Sequence, residues 1–318
     1  MIYTDLFVKE RFQPNEIWLR ENLLMECIMG SQAYGLATPE SDVDIVAIVM
    51  PKEDHLFPQR YGFIPGFDDV PNFESKEVKG EKNRIVLTDS THSDVEGEWN
   101  SLVRFFYLAG IKGSPNLIEV LFVRRPLVTF STDIGWKLRD NRQKFLSMRT
   151  FHAFKGYAYQ QVARMRRCVE RGKAETPKRQ EYLDKFGYDI KMGYHPLRLL
   201  DQLNQLLDEG TIDLMRNKEE CKAMRKGEWG DWKTFDRVVS ERLEALEKKS
   251  LATNAIPPKP RLGELKVLLG ECIEDWYGSE LGMQKQSTEY VSVKDLMERL
   301  DKMEKVISSI PFTIRNRF

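Results

Sequence analysis

Apolar residues follow two different rhythms along this chain, and the change falls near residue 140. Before it the apolar runs are short. Residues 25–29 and 43–50 read as strands, the second carried by Val43, Ile45, Val46 and Ile48. A helix is expected over 14–26, with Pro14 in its first turn and Ile17, Leu23 and Leu24 on a buried stripe. Residues 84–87 and 94–98 are further strand candidates, and 100–111 reads as an apolar helix. Gly113-Ser114-Pro115 then supplies a break, an N-cap and a helix-opening proline ahead of the apolar segment 117–123. The stretch 51–83, rich in Pro, Gly and Asp, reads as a long excursion outside the core.

From about residue 141 the spacing turns helical. Candidates are 141–171, 196–208, 232–250, 262–277 and 292–308, parted by Gly187, Gly230, Pro257-Pro258 and Gly278. The pattern predicts a small head of mixed strands and helices over 1–140, followed by a helical domain over 141–318. No internal repeat is present.

Composition narrows the class. Hydrophobic residues at 41% and charged residues at 31% describe a globular chain, neither disordered nor membrane-embedded. No apolar run reaches the ~18 residues that cross a bilayer, and the first residues lack a signal-peptide core. A cytoplasmic protein without a membrane partner is expected. Cys27, Cys168, Cys221 and Cys272 lie far apart with no C-x-x-C pairing, which argues against zinc and a disulfide framework and for reduced thiols. Net charge is zero but uneven: residues 1–140 carry 15 Lys+Arg against 22 Asp+Glu, and residues 141–318 carry 34 against 27. An acidic half suited to cations beside a basic half suited to a polyanion fits an enzyme acting on nucleic acid.

The candidate chemistry lies in the head. Asp42 and Asp44 stand two apart at the start of a strand, so both carboxylates point to one face and can share a divalent cation. Ten residues separate Asp42 from Gly30-Ser31, a turn able to present backbone N–H groups and a hydroxyl to a phosphate. Carboxylate oxygens suit Mg²⁺, and a pair of such ions roughly 3.5–4 Å apart serves nucleotidyl transfer from an NTP. A third acid is expected from a neighbouring strand, where Asp94-Val95-Glu96-Gly97-Glu98 supplies an acidic alternation.

The segment running from Gly30 through Ser31, Tyr34, Gly35 and Pro39 to Asp42-Val43-Asp44 resembles the signature of predicted nucleotidyltransferases of the DNA polymerase beta superfamily. More narrowly it resembles the RlaP-like group of bacteria and their phages. Similar stretches occur at 95–122 and 185–212. The resemblance implies an α+β fold, with a polymerase-beta-like nucleotidyltransferase head (a small mixed sheet flanked by helices) and an α-helical C-terminal domain that binds substrate. It implies that Gly30 and Ser31 bind the triphosphate tail, that Asp42 and Asp44 ligate both metals, and that Glu96 is the third carboxylate, with Glu98 its competitor. The group more often has Asp at that place. Two Mg²⁺ ions, or Mn²⁺, would serve as cofactors and an NTP such as ATP as substrate.

Other residues are weighed against plainer roles. Tyr34 is placed to stack on a nucleotide base or simply to pack. Lys191, His195 and Arg198 share one helical face and would meet triphosphate or substrate phosphate, or form a solvated basic face. Pro196 is expected to kink that helix or to begin a new one with His195 as its cap. Arg164, Arg166, Arg167, Arg171, Lys173, Lys178 and Arg179, preceded by Tyr157 and Tyr159, could track a phosphate backbone or be ordinary surface. The expected reaction moves an NMP from an NTP to an acceptor hydroxyl with release of pyrophosphate, the favoured acceptor being an RNA 3′ end, tRNA among the candidates. The alternatives are a protein or small-molecule hydroxyl, or a nucleotide-binding module without chemistry.

Overall fold

The computed structural model describes residues 2–39, 41–64, 69, 72–78, 84–88 and 91–278. These lie within one compact unit, Met1–Gly282. Lys178's side chain and the helix expected over 292–308 lie outside the described residues.

Among the described residues six strands form the sheet: β1 (Leu23–Ile28), β2 (Val43–Val49), β3 (Ser75–Val78), β4 (Arg84–Thr88), β5 (Thr91–Ser101) and β6 (Val128–Ser131). Their order is β3-β5-β2-β1-β6, with β4 pairing the first part of β5. Only β2 and β5 run parallel; the other pairs are antiparallel. The helices of the head are α1 (Tyr3–Glu10), α2 (Trp18–Glu21), α3 (Gly30–Ala33), α4 (Glu53–Leu56), α5 (Leu102–Phe105), α6 (Pro115–Phe122) and α7 (Asp133–Asp140). The body follows with α8 (Met148–Arg171), α9 (Pro177–Phe186), α10 (Ile190–Glu209), α11 (Lys218–Lys226), α12 (Trp232–Ser250) and α13 (Leu262–Tyr277).

β2 shows how the sheet is built. Val43, Ile45, Ala47 and Val49 alternate onto one face and join Phe7, Leu19, Leu23, Val95 and Trp99 in a buried cluster. Each such side chain contributes roughly 1.5–3 kcal/mol by leaving water. Phe7 and Phe12 both meet the Trp99 ring edge-on at 4.8 Å, and the indole N–H donates to Thr4 Oγ1 at 3.0 Å. Glu26, wholly buried, accepts from the backbone N–H groups of Tyr3 (2.8 Å) and Thr4 (2.6 Å) and from the hydroxyls of Thr4 and Thr129 (2.5 Å each). The carboxylate thus satisfies the open N-terminus of α1, which has no side-chain cap of its own.

The expected elements need four corrections. Residues 14–26 do not form one helix: Pro14–Glu16 is a short 3₁₀ turn, α2 covers four residues, and Leu23 and Leu24 already belong to β1. The excursion over 51–83 contains β3, which pairs with β5 at the edge of the sheet. The helix expected from 141 starts at Met148, where Ser147 and Thr150 form a capping box. Finally, α10 runs through Pro196 from a start at Ile190, with Asp189 rather than His195 as its cap, accepting from Met192 N–H at 3.0 Å.

α10 is the axis of the body, packed among α8, α9, α11 and α12. All four cysteines are buried and free of disulfides. Among the described residues no helix is long and apolar enough to cross a membrane.

Candidate active site

β1 ends in a turn that the start of β2 holds in place. Met29 N–H donates to the Asp44 carbonyl at 2.7 Å, and Gly30 follows with φ +57°. A Cβ at Gly30 would stand 1.7 Å from Asp44 Oδ2, so the carboxylate rests directly on the glycine. Both the left-handed backbone and the close approach require this residue to be Gly. Ser31 lies in the single turn of α3, which Leu36 N–H closes by donating to the Ser31 carbonyl at 2.8 Å.

The parallel pairing of β2 with β5 decides which acids are neighbours. Asp44 is the register partner of Glu96, and Glu98 is the partner of Val46 on one side and Glu77 on the other. Register partners on adjacent strands share a face at about 4.8 Å between strands. Asp44 and Glu96 therefore stand side by side, both half-buried, on the face opposite the Phe7–Trp99 cluster. Glu98 lies two positions further along, roughly 7 Å away along the strand. Asp42, just ahead of β2, is exposed at the mouth of this arrangement.

The body covers the turn from above. Gly35, also in the left-handed region at φ +67°, has no room for a side chain because Met215 Cε would stand 2.5 Å from its Cβ. Arg225 on α11 donates to the Leu36 carbonyl, and its guanidinium lies 5.8 Å from the Tyr194 ring centre. Burial, and to a lesser degree the charge of Asp44, raises the Tyr194 phenol above its ordinary pKa, while Arg198 and Arg225 oppose the rise. α10 thus brings an aromatic side chain within electrostatic reach of the acids.

Tyr34 and Arg198 both turn inward and meet Glu119. Tyr34 Oη donates to Glu119 Oε2 at 2.6 Å, Arg198 donates to Glu119 Oε1, and the guanidinium lies over the Tyr34 ring at 4.1 Å. All three are buried, with Glu119 at 0% and Arg198 at 4% exposure. Tyr34, weighed for base stacking or packing, and Arg198, weighed for a phosphate contact or a solvated basic face, are packed together in a knot joining the turn, α6 and α10.

Lys191 and His195 lie half-buried in the first half of α10. Burial pushes the His195 imidazole well below its ordinary pKa, assisted by the positive charges of Arg198, Arg179, Arg164 and Arg225. The ring is therefore neutral, and among the described residues its Nδ1 has no hydrogen-bond partner. Of the basic stretch, Arg164 pairs with Glu175 (2.5 Å), Arg166 with Asp236 (2.7 Å) and Arg179 with Asp189 (3.1 Å).

Sequence reasoning passed over Glu119, Tyr194 and Arg225. Glu119 carried a signal: a lone acid inside the apolar run Leu117-Ile118-Glu119-Val120-Leu121-Phe122 must find a partner. Tyr194 and Arg225 carried none, because only the packing of α10 and α11 brings them here.

The donors around Asp44 are all oxygen, the chemistry that suits Mg²⁺ or Mn²⁺. Among the described residues no three His, Cys, Asp or Glu side chains stand gathered as an ion would need them. The backbone nonetheless aligns Asp44 with Glu96, and the missing Cβ of Gly30 lets the Asp44 carboxylate lie against the turn.

A family model for an RNA repair pathway DNA polymerase beta family, RlaP, matches residues 7–249. Over 143 residues the chain is 28% identical to an uncharacterized 38.9 kDa protein in the nrdC–mobD intergenic region of Enterobacteria phage T4. That match covers 44% of this chain and 38% of the phage protein, so it spans well under half of that relative's length. The crystal structure of a nucleotidyltransferase-like protein from Exiguobacterium sibiricum 255-15 aligns with 96% of this chain and 90% of its own at 11% identity, with a TM-score of 0.28.

Proposed function

The chain belongs to the RNA repair pathway DNA polymerase beta family, and on that premise we propose that it transfers an NMP from an NTP to the 3′ hydroxyl of RNA, releasing pyrophosphate. The observation that carries this reading is the seat of the Asp44 carboxylate on Gly30 of the Gly-Ser turn, with Glu96 beside it on the next strand. For this chemistry a turn that takes phosphate and acids that take metal would have to adjoin, and the contact of Asp44 with Gly30 supports that reading.

In the proposed reaction the acceptor oxygen attacks the α-phosphorus, the bond to the pyrophosphate oxygen breaks, and the acceptor proton passes to solvent. Ser31 and the backbone of its turn would take oxygens of the triphosphate, with Lys191 supplying positive charge from α10. Tyr34 and Arg198 would act by holding the turn to the body through Glu119. Asp42, Asp44 and Glu96 would hold divalent metal, with Glu98 one step removed. When bound, such an ion supplies charge stabilisation at the phosphoryl oxygens and acidifies the attacking hydroxyl. Residues 1–140 would carry the chemistry and the helical residues beyond them would position the acceptor. The basic excess after residue 140 and the family's association with RNA repair support RNA as that acceptor.

The test uses α-labelled NTPs with Mg²⁺ and unpaired RNA, separating RNA from protein afterwards. Label should join the RNA and should vanish in Asp42→Ala and Asp44→Ala variants that remain folded. Glu96→Gln should lower transfer about a hundredfold or more, and Glu98→Gln should cost far less. Label on protein alone would remove the RNA acceptor, and full transfer by both aspartate variants would remove the enzyme.

A further inference from the structure

The head holds a second feature that the proposed chemistry does not use. At the end of β2 remote from the acids, roughly 20 Å of strand beyond Asp44, a cavity of ≈ 460 Å³ opens. Its walls include Trp18 from α2, Lys52 and His55 at α4, Phe73, and Lys76 from β3. Phe73 meets the Trp18 ring edge-on at 4.8 Å and His55 does so at 5.7 Å. The Lys52 ammonium lies 5.4 Å from the indole centre. Glu16, the carboxylate in the lining, is already engaged: it pairs with Lys76 at 2.6 Å and accepts from Gln13 N–H at 2.9 Å.

His55 adds an independent pointer. Its Nδ1 is buried and has no hydrogen-bond partner among the described residues. Burial holds the imidazole below its ordinary pKa, so the ring is neutral and offers one donor and one acceptor. A polar atom buried without a partner beside an aromatic-walled space is a place where a ligand group restores a lost hydrogen bond.

Another cavity, ≈ 420 Å³ between α10, α11 and α12, has a different character. Asp201 and Glu220 line it, and Arg242 is committed to Glu220 at 2.8 Å. Among the described residues its lining has no aromatic side chain, and its basic groups, Arg242 and Lys249, pair with Glu220 and Asp208, whereas the Trp18 cavity combines ring faces with lysine.

We propose that the Trp18 cavity binds a base of unpaired RNA: Lys52, which lies over the indole ring, moves to an adjoining phosphate, the base takes its place on the Trp18 face, and His55 bonds the base edge. This rests on the reading of RNA as acceptor and deepens it. Trp18 and Phe73 pack against the Phe7–Trp99 cluster, so the pocket lies on the sheet face opposite the acids, and a strand held there would pass round the edge of the sheet for its 3′ end to reach them. Base-on-aromatic stacking tolerates any sequence, so the pocket would select for unpaired RNA rather than for a particular base.

The experiment measures binding by fluorescence anisotropy, using a fluorescein-labelled oligouridylate of about ten nucleotides and an RNA duplex of the same length. NTP binding to each variant is measured separately. Trp18→Ala should weaken oligouridylate binding about tenfold, whereas Trp18→Phe should retain most of it. Lys52→Ala, at a half-buried position away from the sheet core, should weaken binding several-fold and lower the salt slope by about one. NTP affinity should be unchanged in all three, and the duplex should bind more weakly than the single strand. If the wild type binds the oligouridylate and both Trp18→Ala and Lys52→Ala bind it equally well, the pocket is wrong and the RNA acceptor survives. If the wild type binds no RNA, both fall together. Should Trp18→Ala fail to fold, Lys52→Ala and Trp18→Phe decide the matter.

Discussion

Replacing Glu119 with Gln removes one charge from the knot that joins the Gly-Ser turn to the body, and its cost can be worked from the structure. Glu119 is fully buried, and Arg198 is 4% exposed. Burial alone would lower the Arg198 pKa, yet the charge of Glu119, with Tyr34 and Tyr194, leaves it above the ordinary arginine value. An arginine stays protonated even when buried, so the guanidinium keeps its charge when its partner is neutralised. Removing one member of a buried pair strands the other and costs about 3–5 kcal/mol. Glutamine has nearly the shape of glutamate and keeps an oxygen for the Tyr34 hydroxyl, so most of the loss is electrostatic. At roughly 2 °C per kcal/mol for a chain of this size, Tm should fall by about 6–10 °C. Thermal and urea unfolding followed by circular dichroism would measure it. The double variant Glu119→Gln with Arg198→Met should be less destabilised than the two single losses added together, because no stranded charge remains. A Glu119→Gln protein within about 1 kcal/mol of the wild type would refute the reasoning and mean that the pair is solvated.

Gly30→Ala should lose transfer by about a hundredfold or more while losing only about 1–2 kcal/mol of stability. The new methyl must push Asp44 off its seat, and parallel activity and unfolding assays would separate the two effects. His195 should make stability depend on pH. Its folded pKa lies well below 6.5, so below that pH the unfolded chain binds the proton and the folded chain does not. This contribution is present above pH 6.5 and is lost as pH falls toward the folded pKa, and His195→Gln should flatten the loss. Urea midpoints of both proteins across that range would check it.

How much of this was legible in the sequence depends on where the deciding contacts lie. β2 could be read because its alternating Val and Ile positions are a local pattern, and α12 and α13 because each carries an apolar stripe bounded by breakers. The Gly-Ser turn and the aspartates stood out for the same reason: the whole signature lies within fifteen residues. α1 was missed because the acid that caps it, Glu26, is more than twenty residues away. β3 was missed because a four-residue edge strand, Ser-Lys-Glu-Val, has no apolar face to announce it. The border at Leu23 failed because a run buried on both sides has no period to tell helix from strand. Register could not be read at all. Asp44 beside Glu96, rather than beside Glu98, follows from a parallel pairing across more than fifty residues.

The bond from Arg225 to the Leu36 carbonyl links positions 189 residues apart. Closing a loop of that length costs roughly 5 kcal/mol of chain entropy, which burial throughout the fold has to offset. A growing polypeptide carries its complete glycine, serine and aspartate signature long before residue 225 exists to clasp it. The clasp thus forms late in synthesis, and the posture of one small turn depends on a helix made far downstream of it.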